Sequence, residues 1–107
     1  MSPPKIVFMK SSADSTTRIL RAVADPARRK ILLALKEKDA CSLDKHEGLC
    51  ARDIEQRLDL SQPTISHHMA VLQKAGLVEA KKIGQWMWYR RHEAGLRGFL
   101  RQLQVEL

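Results

Sequence analysis

Ala51–Val78 reads ARDIEQRLDLSQPTISHHMAVLQKAGLV, and its periodicity decides the fold. Leu49, Ile54 and Leu58 can share one inward face, which predicts a short helix over Leu49–Leu58. Asp59-Leu60 makes a tight link. Ser61 then stands where a helix cap is wanted, ahead of a second helix over Gln62–Lys74. Pro63 falls in the first turn of that helix, where a missing N–H is tolerated. Ile65, Met69 and Leu72 recur at i, i+4 and i+7 and form one buried face. Gly76 supplies a left-handed stop. Two short helices across a turn of about three residues have helix-turn-helix spacing, in which the first helix braces the second.

Beyond Gly76 the period changes. Leu77–Ile83 and Trp86–Arg91 predict two strands joined at Gly84-Gln85, a pair suited to a tight hairpin turn. Trp86 and Trp88 share one face of the second strand, so both are expected to pack rather than stack on bases. Tyr89, on the other face, is also expected to pack, with a phosphate contact as its alternative. Lys81, Lys82, Arg90 and Arg91 flank or face the hairpin. Leu96, Phe99, Leu100 and Leu103 make an apolar stripe on a C-terminal helix.

Upstream, Ile19, Leu20 and Val23 lie on one face of a helix over Thr17–Ala24. Asp25-Pro26 marks a new start, with Asp25 able to cap and Pro26 suited to the first helical position. That helix runs to about Lys38 on a stripe of Ile31, Leu32 and Leu35. Asp39–Gly48 is polar and irregular and holds Cys41 and His46. Residues 1–16 read as a flexible N-terminal arm and 17–107 as one folded domain. The fold class is mainly α with a β-hairpin wing, a winged helix-turn-helix with helices, hairpin and a final helix in that order.

Composition bounds the partners. The chain has 107 residues, about one domain's worth. Nineteen Lys and Arg oppose 12 Asp and Glu, a formal +7 that favours DNA, RNA or an anionic membrane without choosing among them. No apolar run is long enough to span a bilayer, and Met1–Lys10 has no signal-peptide pattern, so the expected location is cytoplasmic, away from membranes. Two cysteines in that compartment are expected to be reduced. A Gly-rich phosphate loop, a nucleophile elbow and a pocketed carboxylate pair are all missing, which argues against an enzyme.

The second helix of the quoted stretch suits double-stranded DNA. Gln62 can pair two ways with an adenine edge, Thr64 can meet a thymine methyl, and Ser66 and His67 can reach base edges or phosphates. No acid lies between Ser61 and Ala75 to repel the backbone. Ser61, Gln62, Thr64, Ser66 and His67, with Lys81, Lys82 and Gln85 of the hairpin, are the candidate DNA-contacting residues. A protein-interaction module on the same fold would want an acidic or apolar face here. An RNA binder would want a stacking platform, and the aromatics at hand sit in the hairpin.

The segments LRAVADPARRKILLAL, LSQPTISHHMAVLQKAGLV and KKIGQWMWYRR between Leu20 and Arg91 resemble the arsenical-resistance repressor (ArsR/SmtB-like) family of bacterial winged-helix regulators. The resemblance covers about two-thirds of the chain. It implies a repressor that dimerises through its first and last helices. The candidate dimer residues are then Ile19, Leu20, Val23, Leu96, Phe99, Leu100 and Leu103, on a homodimer that binds a palindromic operator. Many members carry two cysteines one residue apart before the recognition helix. Cys50 falls on the first of these and Arg52 on the second, and a guanidinium cannot ligate a cation. Other members pair Asp and His on the last helix, where this chain has His92 alone.

Cys41, His46 and Cys50 remain as donors. Two thiols and an imidazole could hold zinc or trivalent arsenic, the thiols could form a reversible disulfide, or all three could be ordinary loop and packing residues. His67 and His68 are adjacent on a helix and point apart. His67 is expected to face DNA, and His68 to lie at the edge of the core.

Overall fold

The structure, a computed structural model, describes residues 15–36 and 48–107. Helix α1 covers residues 15–24. It is followed by α2 (Pro26–Lys36), β1 (Leu49–Cys50), α3 (Ala51–Leu58), α4 (Gln62–Lys74), β2 (Val78–Ile83), β3 (Trp86–Arg91) and α5 (Glu93–Glu106). Cys41, His46, the expected end of the second helix and residues 1–14 of the expected arm lie outside the described residues. Among the described residues no helix is long and apolar enough to cross a membrane.

The break between α1 and α2 has a chemical cause. Asp25 Oδ1 accepts the Ala27 N–H at 2.8 Å, and Pro26 opens the helix behind it. That hydrogen bond is the main reason the Asp25 carboxyl is held below its usual range. Arg28 and Arg29 then reach back to the end of α1. Arg28 donates to the Arg21 and Ala22 carbonyls, and Arg29 to those of Val23 and Ala24. These are the acceptors that a helix terminus leaves without intrahelical partners.

The helix expected over Leu49–Leu58 starts two residues late. Leu49 and Cys50 are extended and pair antiparallel with β3, Leu49 opposite Tyr89 and Cys50 opposite Trp88. Their partner is distant in sequence, so local periodicity could not reveal the pairing. Gly48 turns into the strand at φ 88°, and a Cβ there would collide with the Tyr89 carbonyl. The helix proper begins at Ala51, where the Asp53 carboxylate reaches back to the Cys50 N–H at 3.4 Å.

The sheet has the order β1-β3-β2 and is antiparallel throughout. Gly84 takes φ 61° at the first of two loop residues, where a primed hairpin turn needs a positive angle. The two tryptophans do not pack alike. Trp88 is 7% exposed and Trp86 is 42% exposed, although both lie on one face of β3. Tyr89, pointing to the other side, is buried as well. The hairpin is covered on both faces at its base, where β1 joins it, and projects at its tip.

The core gathers Ile31 and Leu35 of α2, Ile54 of α3, Ile65, Met69 and Leu72 of α4, and Leu49, Leu77, Trp88 and Tyr89 of the sheet region. Gly76, at φ 78°, ends α4, with the Leu77 N–H bonded to the Leu72 carbonyl. Helix α5 docks on that corner. The His92 N–H donates to the Leu77 carbonyl, and His92 Nδ1 lies 3.0 Å from the Gly76 carbonyl oxygen. Buried Thr16 of α1 donates to Glu106 at the far end of α5 at 2.7 Å. That bond, with a second from Gln102, holds the Glu106 carboxyl below its usual range.

Candidate nucleic-acid interface

Helix α4 is anchored on one side and open on the other. Ile65, His68, Met69 and Leu72 are buried, while Gln62, Ser66 and His67 are exposed. The turn from α3 is the three residues Asp59–Ser61, with Asp59 in the left-handed region at φ 54°. Ser61 has the backbone of an N-cap, but its hydroxyl does not cap the helix, contrary to expectation. It lies 2.9 Å from the hydroxyl of half-buried Thr64, which offers a competing partner. The open end of α4 therefore presents backbone N–H groups as well as side chains, a favourable setting for a phosphate.

The anchor is partly polar. Arg28 Nε donates to His68 Nδ1 at 3.1 Å. A guanidinium only donates, so His68 Nδ1 accepts and its proton sits on Nε2. Desolvation, then the charge of Arg28, lowers the His68 pKa against an opposing pull from Asp25. One side chain of α2 thus ties the end of α1 to the buried face of α4. His67, the preceding residue, turns its ring outward, 5.8 Å from that of His68.

Lys81, Lys82 and Gln85 are exposed on the wing, as a contact role requires. Lys82 stands opposite Met87, and Lys81 opposite Trp88. The hairpin's arginines are already engaged. Arg90 pairs with Glu79 at 2.8 Å and Arg91 with Glu93 at 2.9 Å. Between the wing and the helix pair lies a cleft of about 300 Å³ lined by Arg52, Glu55, Gln62, Ser66, Gln85 and Trp86, among others. It brings two candidate residues of α4 together with one from the wing tip. In the sequence Arg52 stands out only where the resembling family has a second cysteine, and Trp86 only as a packing residue. Here the Arg52 guanidinium stands over the Trp86 ring, 4.9 Å from its centroid.

The candidate dimer residues divide. Ile19, Val23 and Leu96 lean on this chain's own core and Phe99 is buried. Leu103 is half-buried, while Leu20 and Leu100 are 43% and 58% exposed.

Of the three candidate donors only Cys50 lies among the described residues. The Cys50 thiol lies 3.3 Å from the Asp53 carboxylate, and burial, helped by that carboxylate, raises its pKa. Arg52, where the resembling family has a second cysteine, is turned to Trp86. Among the described residues no group of three His, Cys, Asp or Glu could hold a metal ion.

The braced helix, its outward partner and the hairpin beside them define a winged helix-turn-helix protein. Comparison with known sequences narrows the class. The chain belongs to the arsR family of bacterial regulatory proteins, whose profile matches residues 25–80. It is 35% identical to the transcriptional repressor SdpR of Bacillus subtilis over 71 residues, 66% of this chain and 69% of that protein. An ArsR-like transcriptional regulator from Rhodococcus sp. RHA1 superposes with a TM-score of 0.70 at 28% identity, covering 89% of this chain and 81% of that one. A homodimeric winged helix-turn-helix DNA-binding domain from Mycobacterium bovis, a possible ArsR-family regulator, gives 0.67 at 25% identity, covering 99% and 88%.

Proposed function

We propose that this protein is a sequence-specific transcriptional repressor that binds a palindromic operator as a homodimer. The observation that carries this reading is α4 itself. Its buried face is fixed by core packing and by Arg28, while Gln62, Ser66 and His67 face outward beside the exposed lysines of the wing. A helix held in this way can enter the major groove, which admits a helix. Base contacts from α4 give preference, and wing lysines give salt-sensitive affinity. Dimerisation is supported by the homodimeric neighbour and by the exposed Leu20 and Leu100. A two-fold dimer places two such helices in successive grooves about 34 Å apart. Occupancy over a promoter would exclude polymerase.

The test is an anisotropy titration with DNA from upstream of the protein's own reading frame. Gln62→Ala and His67→Ala should each weaken specific binding by about 1–3 kcal/mol, the range for a good base contact. Their circular dichroism should match that of the parent. Unchanged affinity in both would sink the assignment of α4 as the reading helix. Release of DNA by zinc, arsenite or a thiol oxidant, abolished in Cys50→Ser, would make Cys41, His46 and Cys50 an effector site. Tight binding unaffected by all three would support a repressor that does not sense through this thiol.

A further inference from the structure

Trp86 is a large aromatic left in water at the tip of the wing, while its same-face neighbour Trp88 is buried. Arg52 sits in the first turn of α3, where the positive end of the helix dipole disfavours a cation. Neither position is explained by the packing of its own element. Together they make a cation–π pair that joins α3 to the wing, 4.9 Å from guanidinium to ring centroid.

We propose that the cleft between α3, α4 and the wing seats a DNA backbone phosphate, held by Arg52 in an orientation set by Trp86. The proposal rests on the DNA-binding reading and adds a contact which that reading does not contain. A guanidinium attracted to a ring face keeps N–H donors for an anion, and its fork fits two phosphate oxygens at once. The ring also limits the rotamers of a long side chain before DNA arrives, which reduces the ordering cost on binding. The rest of the cleft is suited to the same ligand. Gln62, Ser66 and Gln85 each bring a donor, and Glu55 is the one acid among the lining residues. The cleft lies against the exposed face of α4, so a strand seated there would run beside the groove that α4 reads.

The experiment measures binding to the upstream duplex and to a scrambled duplex of equal length across a salt series. Arg52→Ala should weaken both by about tenfold and lower the salt slope by roughly the one-phosphate value. Arg52→Lys should restore the slope but not the full affinity. Trp86→Leu should weaken binding less, and the double variant should be no weaker than Arg52→Ala alone. An unchanged slope in Arg52→Ala, with the parent binding normally, would overturn the phosphate contact. So would a loss confined to the upstream duplex, which would make Arg52 a base reader. A Trp86→Leu effect of undiminished size without Arg52 would overturn the positioning role. A parent protein that binds neither duplex would bring down the DNA reading itself.

Discussion

Two glycines of α5, Gly95 and Gly98, are expected to respond to alanine with opposite signs. A Cβ on Gly95 would run into the Gly76 carbonyl oxygen and stand 2.6 Å from His92 Nδ1. The histidine can swing aside, but Gly76 is backbone at the left-handed end of α4 and cannot. Relief requires α5 to move off the corner it docks on, giving up the His92–Gly76 contact. Overpacking costs about 1–3 kcal/mol and the lost hydrogen bond about 1, against a helix-propensity gain of about 1. Gly95→Ala should therefore lose roughly 1–3 kcal/mol. A Cβ on Gly98 meets nothing within 4 Å, so Gly98→Ala should keep the propensity gain of about 0.5–1 kcal/mol. The two variants should differ by roughly 2–4 kcal/mol, or on the order of 10–20 °C in Tm. Urea and thermal unfolding followed by circular dichroism, at one fixed protein concentration, would show this. A Gly95→Ala protein as stable as the parent would refute the close approach of α5 to Gly76. A destabilised Gly98→Ala would refute the open space beside it.

Three further outcomes follow from other parts of the molecule. Burial places the folded His68 pKa below the unfolded value, so its contribution to stability is present above about pH 6.5 and fades as acid protonates the unfolded chain first. Urea unfolding at pH 7.5 and 5.5 should show that loss in the parent and a smaller one in His68→Gln, which can still accept from Arg28; equal losses would count against it. Ile54→Ala, at a fully buried α3 position, should cost about 2–5 kcal/mol in the same assay, and a cost under about 1 would mean that α3 is not braced through this side chain. Lys82→Ala should flatten the salt dependence of binding without relaxing sequence preference, and an unaltered slope would remove the wing lysine from the contact list.

Much of this was readable in the chain because the signals are local. Asp25-Pro26, the Ile65–Met69–Leu72 spacing and the Gly76 stop each act within two helical turns, and each appears where the residues place it. What escaped depends on partners far away in sequence. Leu49 and Cys50 look helical until β3 is set beside them. Trp86 and Trp88 look equivalent until the body of the fold covers one and leaves the other. Arg52 looks like a missing ligand until the wing folds over α3. The outward residues of α4 were legible because burial of one helix face dictates exposure of the opposite one. A cleft shared between helix and wing has no such periodic signature.

The Thr16–Glu106 hydrogen bond joins positions 90 residues apart. Contacts of that separation carry the largest loop-closure entropy, so they form after the nearer ones have been made. The pairing of α1 with the tail of α5 is then expected to come late, on a helix-turn-helix already assembled from shorter-range contacts. Interactions absent from the folding transition state govern how fast a protein comes apart. Thr16→Val should accordingly speed unfolding in a chevron experiment while leaving the refolding limb almost where it was. A refolding limb slowed as much as the unfolding limb is quickened would instead place this contact in the transition state.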